Sequence, residues 1–170
     1  FPKMGLNPEK DLAPVGLITA SPTILVGRKA LPPNSLAELP EWMKRNSPAK
    51  VAHAGPGTLA HLCAAQFITA VGAPADLIPY RGGGPANSDL IAGHVDLLFS
   101  SLASAIPQVR SGLMKAYGVS APAPVSALPE VPSLVQLGHK ELEVQHWHGI
   151  FAPAGTPRPI IDKLNAALRK

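Results

Sequence analysis

The stretch that decides the fold reads VAHAGPGTLAHLCAAQF at residues 51–67. Its mostly small first residues predict the end of a buried strand, and two glycines follow in the loop at 55–58. The remainder carries apolar residues at spacings of three and four, which predicts a helix whose first turn is capped by Thr58. We expect the inward face of this helix to consist of Leu59, Leu62, Cys63 and Phe67.

The loop at 55–58 is a candidate receptor for a small anion. Glycines allow the backbone to approach a ligand closely, and free amides at a helix start attract negative charge. A carboxylate is the simplest anion of this kind. An ordinary strand-to-helix turn is the alternative, because lone glycine loops at helix starts are common. The anion interpretation depends on the amides before residue 59 being free.

Composition predicts a folded chain of 170 residues, long enough for one domain, or for one domain and pieces of another. Apolar residues make up 46% and charged residues 15%, so we expect a buried core and no disorder. The formal charge of +4 is scattered and aromatic residues are few, which argues against a nucleic-acid surface. No segment approaches the roughly 18 apolar residues that span a membrane.

The single cysteine, Cys63, excludes an internal disulfide, and its place on the apolar stripe predicts a buried structural thiol. No signal peptide is visible in the opening FPKMG, and the pattern of the last helix stops at Lys170 without a glycine or proline terminator. We therefore expect both ends to lie within a longer protein.

Prolines divide the chain into short elements, with a capping box at Ser35 and Glu38. Strands are expected at 12–19, 23–26, 50–54, 76–80, 95–99, 114–120 and 143–152, and helices from 35, at 59–67, 85–93, 102–110 and 133–137, and from 156. The last helix is expected to turn inward Ile160, Ile161, Leu164 and Leu168.

Strands that alternate with helices at this spacing predict an α/β domain with a mostly parallel sheet and flanking helices. In such sheets, ligands bind beyond the carboxyl ends of the strands, where helices begin. The turns at 53–58, 80–85 and 100–101 all follow predicted strands. Their shared position favours a binding site at that edge of the sheet.

Four segments carry a resemblance to a known family. They are AGPGTLAHL at 54–62, IPYRGGGPA at 78–86 with DLIAGHVD at 89–96, LPEVPSL at 128–134, and WHGIFAPAGTP at 147–157. In this order they resemble the substrate-binding receptors of tripartite tricarboxylate transporters, the Bug family. The likeness spans most of residues 15–168, and no single common motif accounts for it.

The resemblance implies half of a two-lobed clamshell of the type II periplasmic-binding-protein class. Residues 1–22 would be a remnant of the first lobe with a crossing strand, and residues 23–147 the ligand-binding second lobe. Residues 148–170 would be the return crossing strand and the start of a first-lobe helix. Because half a clamshell exposes its cleft face and crossing strands, the fragment is also expected to form homo-oligomers.

The resemblance also implies which residues bind the ligand. They are Ala54, Gly55, Gly57 and Thr58 in the anion loop, Tyr80, Arg81 and Gly83 in a neighbouring wall, and Ser100 and Ser101 at the cleft centre. His53 is a further candidate contact, because it stands at the strand end next to the glycine loop at 55–58. Members often have serine where His53 stands and aspartate where Ser100 stands. Because an aspartate there could bind an ammonium group, Ser100 favours a ligand without an amine. In the alternative interpretation, His53 and Arg81 do not contact the ligand and are solvated polar residues beside the loops.

The function that the resemblance implies is a periplasmic receptor that binds a small carboxylate and delivers it to a membrane permease. No bond is made or broken, and no cofactor is required. A periplasmic sensor built on the same lobe is an open alternative, because both share the cleft. The enzyme alternative is an α/β hydrolase in which Ser100 or Ser101 pairs with His53, although the Gly-x-Ser-x-Gly elbow is absent.

The remaining histidines are expected to have structural roles. We expect His61, one turn into its helix, to hydrogen-bond the backbone locally rather than to contact ligand. His146 and His148 share a strand face, but no third and fourth ligands stand at suitable spacing, so no metal site is predicted. Trp147 points the opposite way and is expected to pack.

Overall fold

In the computed structural model, which describes residues 5–169, the chain divides into two units. The larger unit comprises Ser21–His146, and the smaller unit comprises Phe1–Ala20 and Trp147–Lys170. Strand β1 (Leu12–Arg28) contributes residues to both. The expected break at Ser21 and Pro22 is wrong, because proline fits extended backbone wherever its missing N–H is not needed by a neighbouring strand.

The sheet of the larger unit runs in the order β3-β2-β4-β1-β5. Its further strands are β2 (Ala49–His53), β3 (Ala75–Pro79), β4 (Leu97–Ser101) and β5 (Met114–Val119). Strand β2 is parallel to β3 and β4, whereas β1 is antiparallel to β4 and β5. All strands of this path except β1 therefore point the same way, which confirms the prediction of a mostly parallel sheet in an α/β fold.

Helices cover both faces of this sheet. They are α2 (Leu39–Arg45), α3 (Leu59–Val71), α4 (Gly83–Ala92) and α5 (Leu102–Arg110). Because side chains alternate along a strand, Val51 packs in one buried cluster with Phe67 of α3, and Ala52 packs in the other with Leu90 of α4. Helices α3 and α4 thus lie on opposite faces. Within residues 5–169, every helix is too short or too polar to cross a membrane.

Two helices differ in detail from the prediction. In α3, Cys63 and Phe67 are buried as expected, but Leu62 is 52% exposed, while Ala60 and Ala64 face the core. Small alanine side chains allow α3 to lie close to the sheet. The capping box at Ser35 is replaced by a 3-10 helix (Leu36–Glu38), so that α2 begins at Leu39 with its proline in the first turn.

The helix predicted at 133–137 is absent. The segment instead forms turns next to the end of β5: the Val119 amide donates to Pro132 O at 2.9 Å, and the Leu134 amide donates to Val119 O at 2.9 Å. Backbone groups that pair with a strand edge cannot also form helical hydrogen bonds. Sequence periodicity in so short a segment carries no sign of this pairing.

Strand β6 (Gln145–Pro153) belongs to the smaller unit from Trp147 onward and pairs with β1. The smaller unit also contains helices α1 (Pro8–Asp11) and α6 (Arg158–Leu168). Its buried cluster consists of Val15, Ala152 and Ile161. The predicted packing of Trp147 is wrong, because this ring is 59% exposed. Of the four residues expected inward on α6, only Ile161 is buried. The exposed ones are Ile160, Leu164 and Leu168.

A buried hydroxyl network connects three segments of the larger unit. The Thr23 amide and hydroxyl both donate to Ser120 Oγ, at 2.7 and 2.8 Å, and the Ser120 hydroxyl donates to Val144 O at 2.7 Å. Cys63 lies beside it, with Sγ 3.9 Å from Thr23 Oγ1, and burial raises the pKa of this thiol. The prediction of a buried structural cysteine is confirmed.

We expect Ser120→Ala to lower the free energy of unfolding by about 1–3 kcal/mol, because the buried Thr23 amide loses its acceptor. Urea denaturation followed by circular dichroism measures the change. Ser111→Ala is the matched control, since its exposed hydroxyl donates only to Gln108 O at 3.1 Å. Equal losses in the two variants would contradict a stabilising role for the network.

Candidate functional site

The sheet topology places the carboxyl ends of β2 and β4 side by side. The chain leaves β2 through α3 on one face and returns to β4 through α4 on the opposite face, which is the arrangement of a topological switch point. Val51 is in register with Leu97 and Ala52 with Leu98. The turns that follow β2, β3 and β4 consequently lie along one edge of the sheet.

The loop at 55–58 after β2, the glycine loop, is a tight turn fixed by two glycines and a threonine. Gly55 and Gly57 have φ values of 130° and 76°, in the region that favours glycine. The Thr58 hydroxyl donates to Gly55 O at 2.7 Å and accepts from the His61 amide at 3.3 Å. The prediction that Thr58 caps α3 is therefore confirmed.

The amides of this loop are not free, contrary to the expectation. The Gly55 amide donates to His53 Nδ1 at 3.2 Å, and the Gly57 amide donates to His61 Nδ1 at 3.2 Å. Among residues 5–169, the amides of Leu59 and Ala60, in the first turn of α3, have no acceptor. The uncommitted donors at this site therefore lie just after the loop, in the first turn of α3.

His53 and His61 form a pair beside the loop. Their ring centroids are 4.5 Å apart, and His53 is only 2% exposed. Burial lowers the pKa of His53, and the neighbouring His61 lowers it further. Because each Nδ1 accepts an amide hydrogen, the hydrogen bonds assign the proton of each neutral ring to Nε2. The expectation that His61 hydrogen-bonds the backbone locally is confirmed.

The loop after β3 is joined directly to the glycine loop. The Tyr80 amide donates to His53 O at 3.0 Å, and the Gly82 amide donates to Ala54 O at 3.1 Å. The Tyr80 hydroxyl donates to Asp89 Oδ2 at 2.6 Å, and this bond to a carboxylate raises the pKa of Tyr80 to about 12. Arg81 and Gly83 beside it are exposed.

A serine cluster lies at the end of β4. The Ser100 and Ser101 hydroxyls lie 3.1 and 2.7 Å from Ser104 Oγ, and the Ser100 hydroxyl donates to Asn87 Oδ1 at 3.3 Å. Sequence reasoning missed Ser104 and Asn87. Ser104 could have been predicted, because it lies four residues after Ser100 and three residues after Ser101, and such spacings bring helical side chains together.

No Ser–His pair forms at this edge. His53 extends the face of β2 that packs on α3, whereas Ser100 contacts Asn87 of α4 and Ser104 of α5 on the other face. The hydrolase alternative therefore lacks its general base. Within the described part of the chain, no group of three or more His, Cys, Asp or Glu side chains could hold a metal ion.

Comparison with known proteins identifies the family. The model of the tripartite tricarboxylate transporter family receptor matches residues 1–170. The chain belongs to this receptor family. It is 37% identical over 170 residues to a UPF0065 protein of Agrobacterium vitis, covering 99% of this chain and 49% of that protein. The chain thus spans about half the length of the curated relatives it matches.

Solved structures of the family are similar throughout this chain. Periplasmic binding protein BugD superposes with a TM-score of 0.90 at 38% identity, over 97% of this chain and 56% of BugD. MatC from Rhodopseudomonas palustris, with bound malate, gives 0.90 at 36% identity, over 99% and 58%. The R. palustris protein Rpa4515, with adipate, gives 0.92 at 29% identity, over 99% and 56%.

These receptor-family matches confirm the resemblance found in the sequence and the periplasmic-binding-protein fold class. They also confirm the interpretation of the chain as a non-enzyme, since its relatives and structural neighbours are solute-binding proteins. No comparison tests the individual site residues, which therefore remain predictions.

The hydrogen bond between Tyr80 and Asp89 can be tested by titration. In a Tyr117→Phe background, Tyr80 is the only tyrosine. Asp89→Asn removes the negative charge that holds the phenol proton, so we expect the pKa of Tyr80 to fall from about 12 toward the ordinary value of about 10. Phenolate absorbance measures it. Asp76→Asn, at the opposite end of β3, should leave the titration unchanged.

Proposed function

We propose that this chain is the ligand-binding part of an extracytoplasmic solute receptor that binds a small carboxylate and delivers it to the membrane permease of a tripartite tricarboxylate transporter. The observation that carries this proposal is the switch point of the sheet, where the glycine loop and the serine cluster follow neighbouring parallel strands. Malate and adipate in two similar family structures support the ligand class.

The domain assignment is part of the same proposal. Residues 23–147 would form the second lobe of a clamshell, with residues 1–22 and 148–170 belonging to the crossing strands and the first lobe. The division into a larger and a smaller unit supports this assignment, as does the coverage of about half of each relative. Closure of two lobes would then exclude water from the ligand.

Neutral donors would supply the affinity. The first-turn amides of Leu59 and Ala60 point out of α3 toward its amino end, and the hydroxyls of Ser100 and Ser101 lie at the neighbouring strand end. A hydrogen bond to a charged group contributes about 1.5–3 kcal/mol, so a few such donors suffice for a carboxylate. Arg81 is proposed as an exposed cation that contacts a second carboxylate.

The serine cluster favours a ligand without an amine. Ser100, Ser104 and Asn87 are uncharged and would leave an ammonium group without a counterion. The nearby carboxylate of Asp89 is already engaged by Tyr80 and lies 3.3 Å from His94 Nδ1. A sensor could use the same cleft as a transport receptor. The two functions differ only in the protein partner that the receptor contacts.

We expect Thr58→Ala and Ser101→Ala each to weaken binding of malate or adipate to the full-length protein by about 1–3 kcal/mol. The first removes the hydroxyl that ties Gly55 O to α3, and the second removes a hydroxyl from the serine cluster. Isothermal titration calorimetry gives the change directly.

Ser111→Ala is the control for these variants, because it makes the same kind of change at the far end of α5. Circular dichroism should show all three variants folded. If both site variants bind with unchanged affinity, the assignment of the anion loop and serine cluster is wrong.

We expect the 170-residue chain, expressed alone, to self-associate. Its smaller unit exposes large apolar side chains, which are Leu17, Ile18, Trp147, Phe151 and Ile160. Burial of apolar surface contributes roughly 25 cal/mol per Å², which favours association through this surface. Light scattering across a concentration series measures it, and Leu17→Lys with Trp147→Lys should shift the chain toward monomer. A monomeric parent chain at high concentration would contradict the expectation.

A further inference from the structure

The two imidazole–amide contacts of the glycine loop are of the kind that a stronger acceptor can replace. Both measure 3.2 Å, longer than the roughly 2.9–3.0 Å typical of amide hydrogen bonds, and both join neutral groups. An amide bond to a carboxylate is about twice as strong as one between neutral partners. A ligand carboxylate is therefore a stronger acceptor for the Gly55 and Gly57 amides than the imidazoles are. The Gly57–His61 contact is exposed to solvent, whereas the Gly55–His53 contact is buried.

We propose that His53 and His61 are exchangeable acceptors: a ligand carboxylate displaces their Nδ1 atoms from the Gly55 and Gly57 amides, and a released imidazole takes up one proton from the solvent. This inference rests on the proposed function and specifies how the same site works. The proton forms a new N–H bond at Nδ1, the atom whose lone pair the exchange releases. The resulting imidazolium lies beside the bound anion.

Burial explains why the exchange involves a proton. In the ligand-free chain, the lone pair of each Nδ1 is occupied by an amide, and burial together with the adjacent ring disfavours a charged His53. A carboxylate at the loop reverses this balance, because a neighbouring negative charge stabilises the imidazolium. Binding and protonation therefore stabilise each other.

The surroundings of the pair contain few other charges. On α3 the facing titratable group is His61 itself, the one charge that lowers the pKa of His53. The loop after β3 contributes Tyr80 and Arg81, and Asp89 of α4 is held by Tyr80. Strand β4 (Leu97–Ser101) has no ionisable side chain. The anion itself is consequently the main new charge that the histidine pair would meet.

A fixed scaffold is the competing arrangement. In that arrangement, both imidazoles keep their hydrogen bonds to the loop amides. The carboxylate binds only to the donors of Leu59, Ala60 and the serine cluster. Protonation of Nδ1 would then break the loop, so acid would weaken binding. The exchange predicts the opposite sign, which makes pH dependence a decisive observable.

The test titrates the full-length protein with malate, and separately with adipate, by calorimetry in buffers of different ionisation enthalpy. We expect uptake of about 0.5–1 proton per ligand and binding about threefold to tenfold tighter at about pH 6 than at about pH 8. Nitrogen-15 NMR should show Nδ1 of His53 or His61 change from acceptor to protonated when malate is added.

Two variants test whether the proton uptake comes from His53 and His61 rather than from another titrating group. The double variant His53→Asn with His61→Asn keeps an oxygen acceptor near each Nδ1 position but cannot titrate, so malate should still bind while proton uptake and the pH dependence disappear. His94→Asn is the matched control, since this histidine contacts Asp89 outside the glycine loop and should leave both unchanged.

The outcomes are distinguishable. Malate or adipate binding without proton uptake, weaker binding at low pH, or uptake that persists in the double variant would each overturn the exchange and leave the receptor function intact. Absence of dicarboxylate binding at every pH would overturn the proposed function and this inference with it.

Discussion

Everything at the candidate site depends on the parallel pairing of β2 with β3 on one side and β4 on the other. This pairing sends the three following turns to one edge of the sheet. Because α3 and α5, the helices that follow β2 and β4, pack on opposite faces, the turns after these two strands lead away from each other, as at a topological switch point. The antiparallel β1 pairs with β4 on the side away from β2, and β5 pairs with the other side of β1.

The glycine loop illustrates how side chains of the same chain can satisfy the amides of a loop. Buried polar groups need partners, and an unsatisfied buried amide costs about 1–3 kcal/mol. In this chain His53 supplies the partner of the buried Gly55 amide, His61 supplies that of the exposed Gly57 amide, and Thr58 Oγ1 supplies that of His61 N. An anion that binds these two amides, as we propose, would therefore exchange one set of hydrogen bonds for another.

Sequence reasoning predicted the parts of the fold that depend on local pattern. The strand–loop–helix unit at 51–67, the cap at Thr58 and the common edge of three turns follow from spacing and turn chemistry. It failed where a distant segment decides the outcome. The turns at 133–137 are fixed by pairing with β5, and the buried face of α3 is set by close packing of alanines on the sheet.

The same distinction explains the site. A sequence shows that glycine amides precede a helix, but not which acceptor lies within reach of them. The imidazole of His53 reaches Gly55 only because β2 ends with that side chain on the α3 face, where it also meets His61. The presence of glycine or of histidine in the sequence therefore does not by itself show whether the loop amides are free or hydrogen-bonded. Whether these amides are free is decided by the contact between each glycine amide and a histidine ring, which depends on how β2 and α3 pack together.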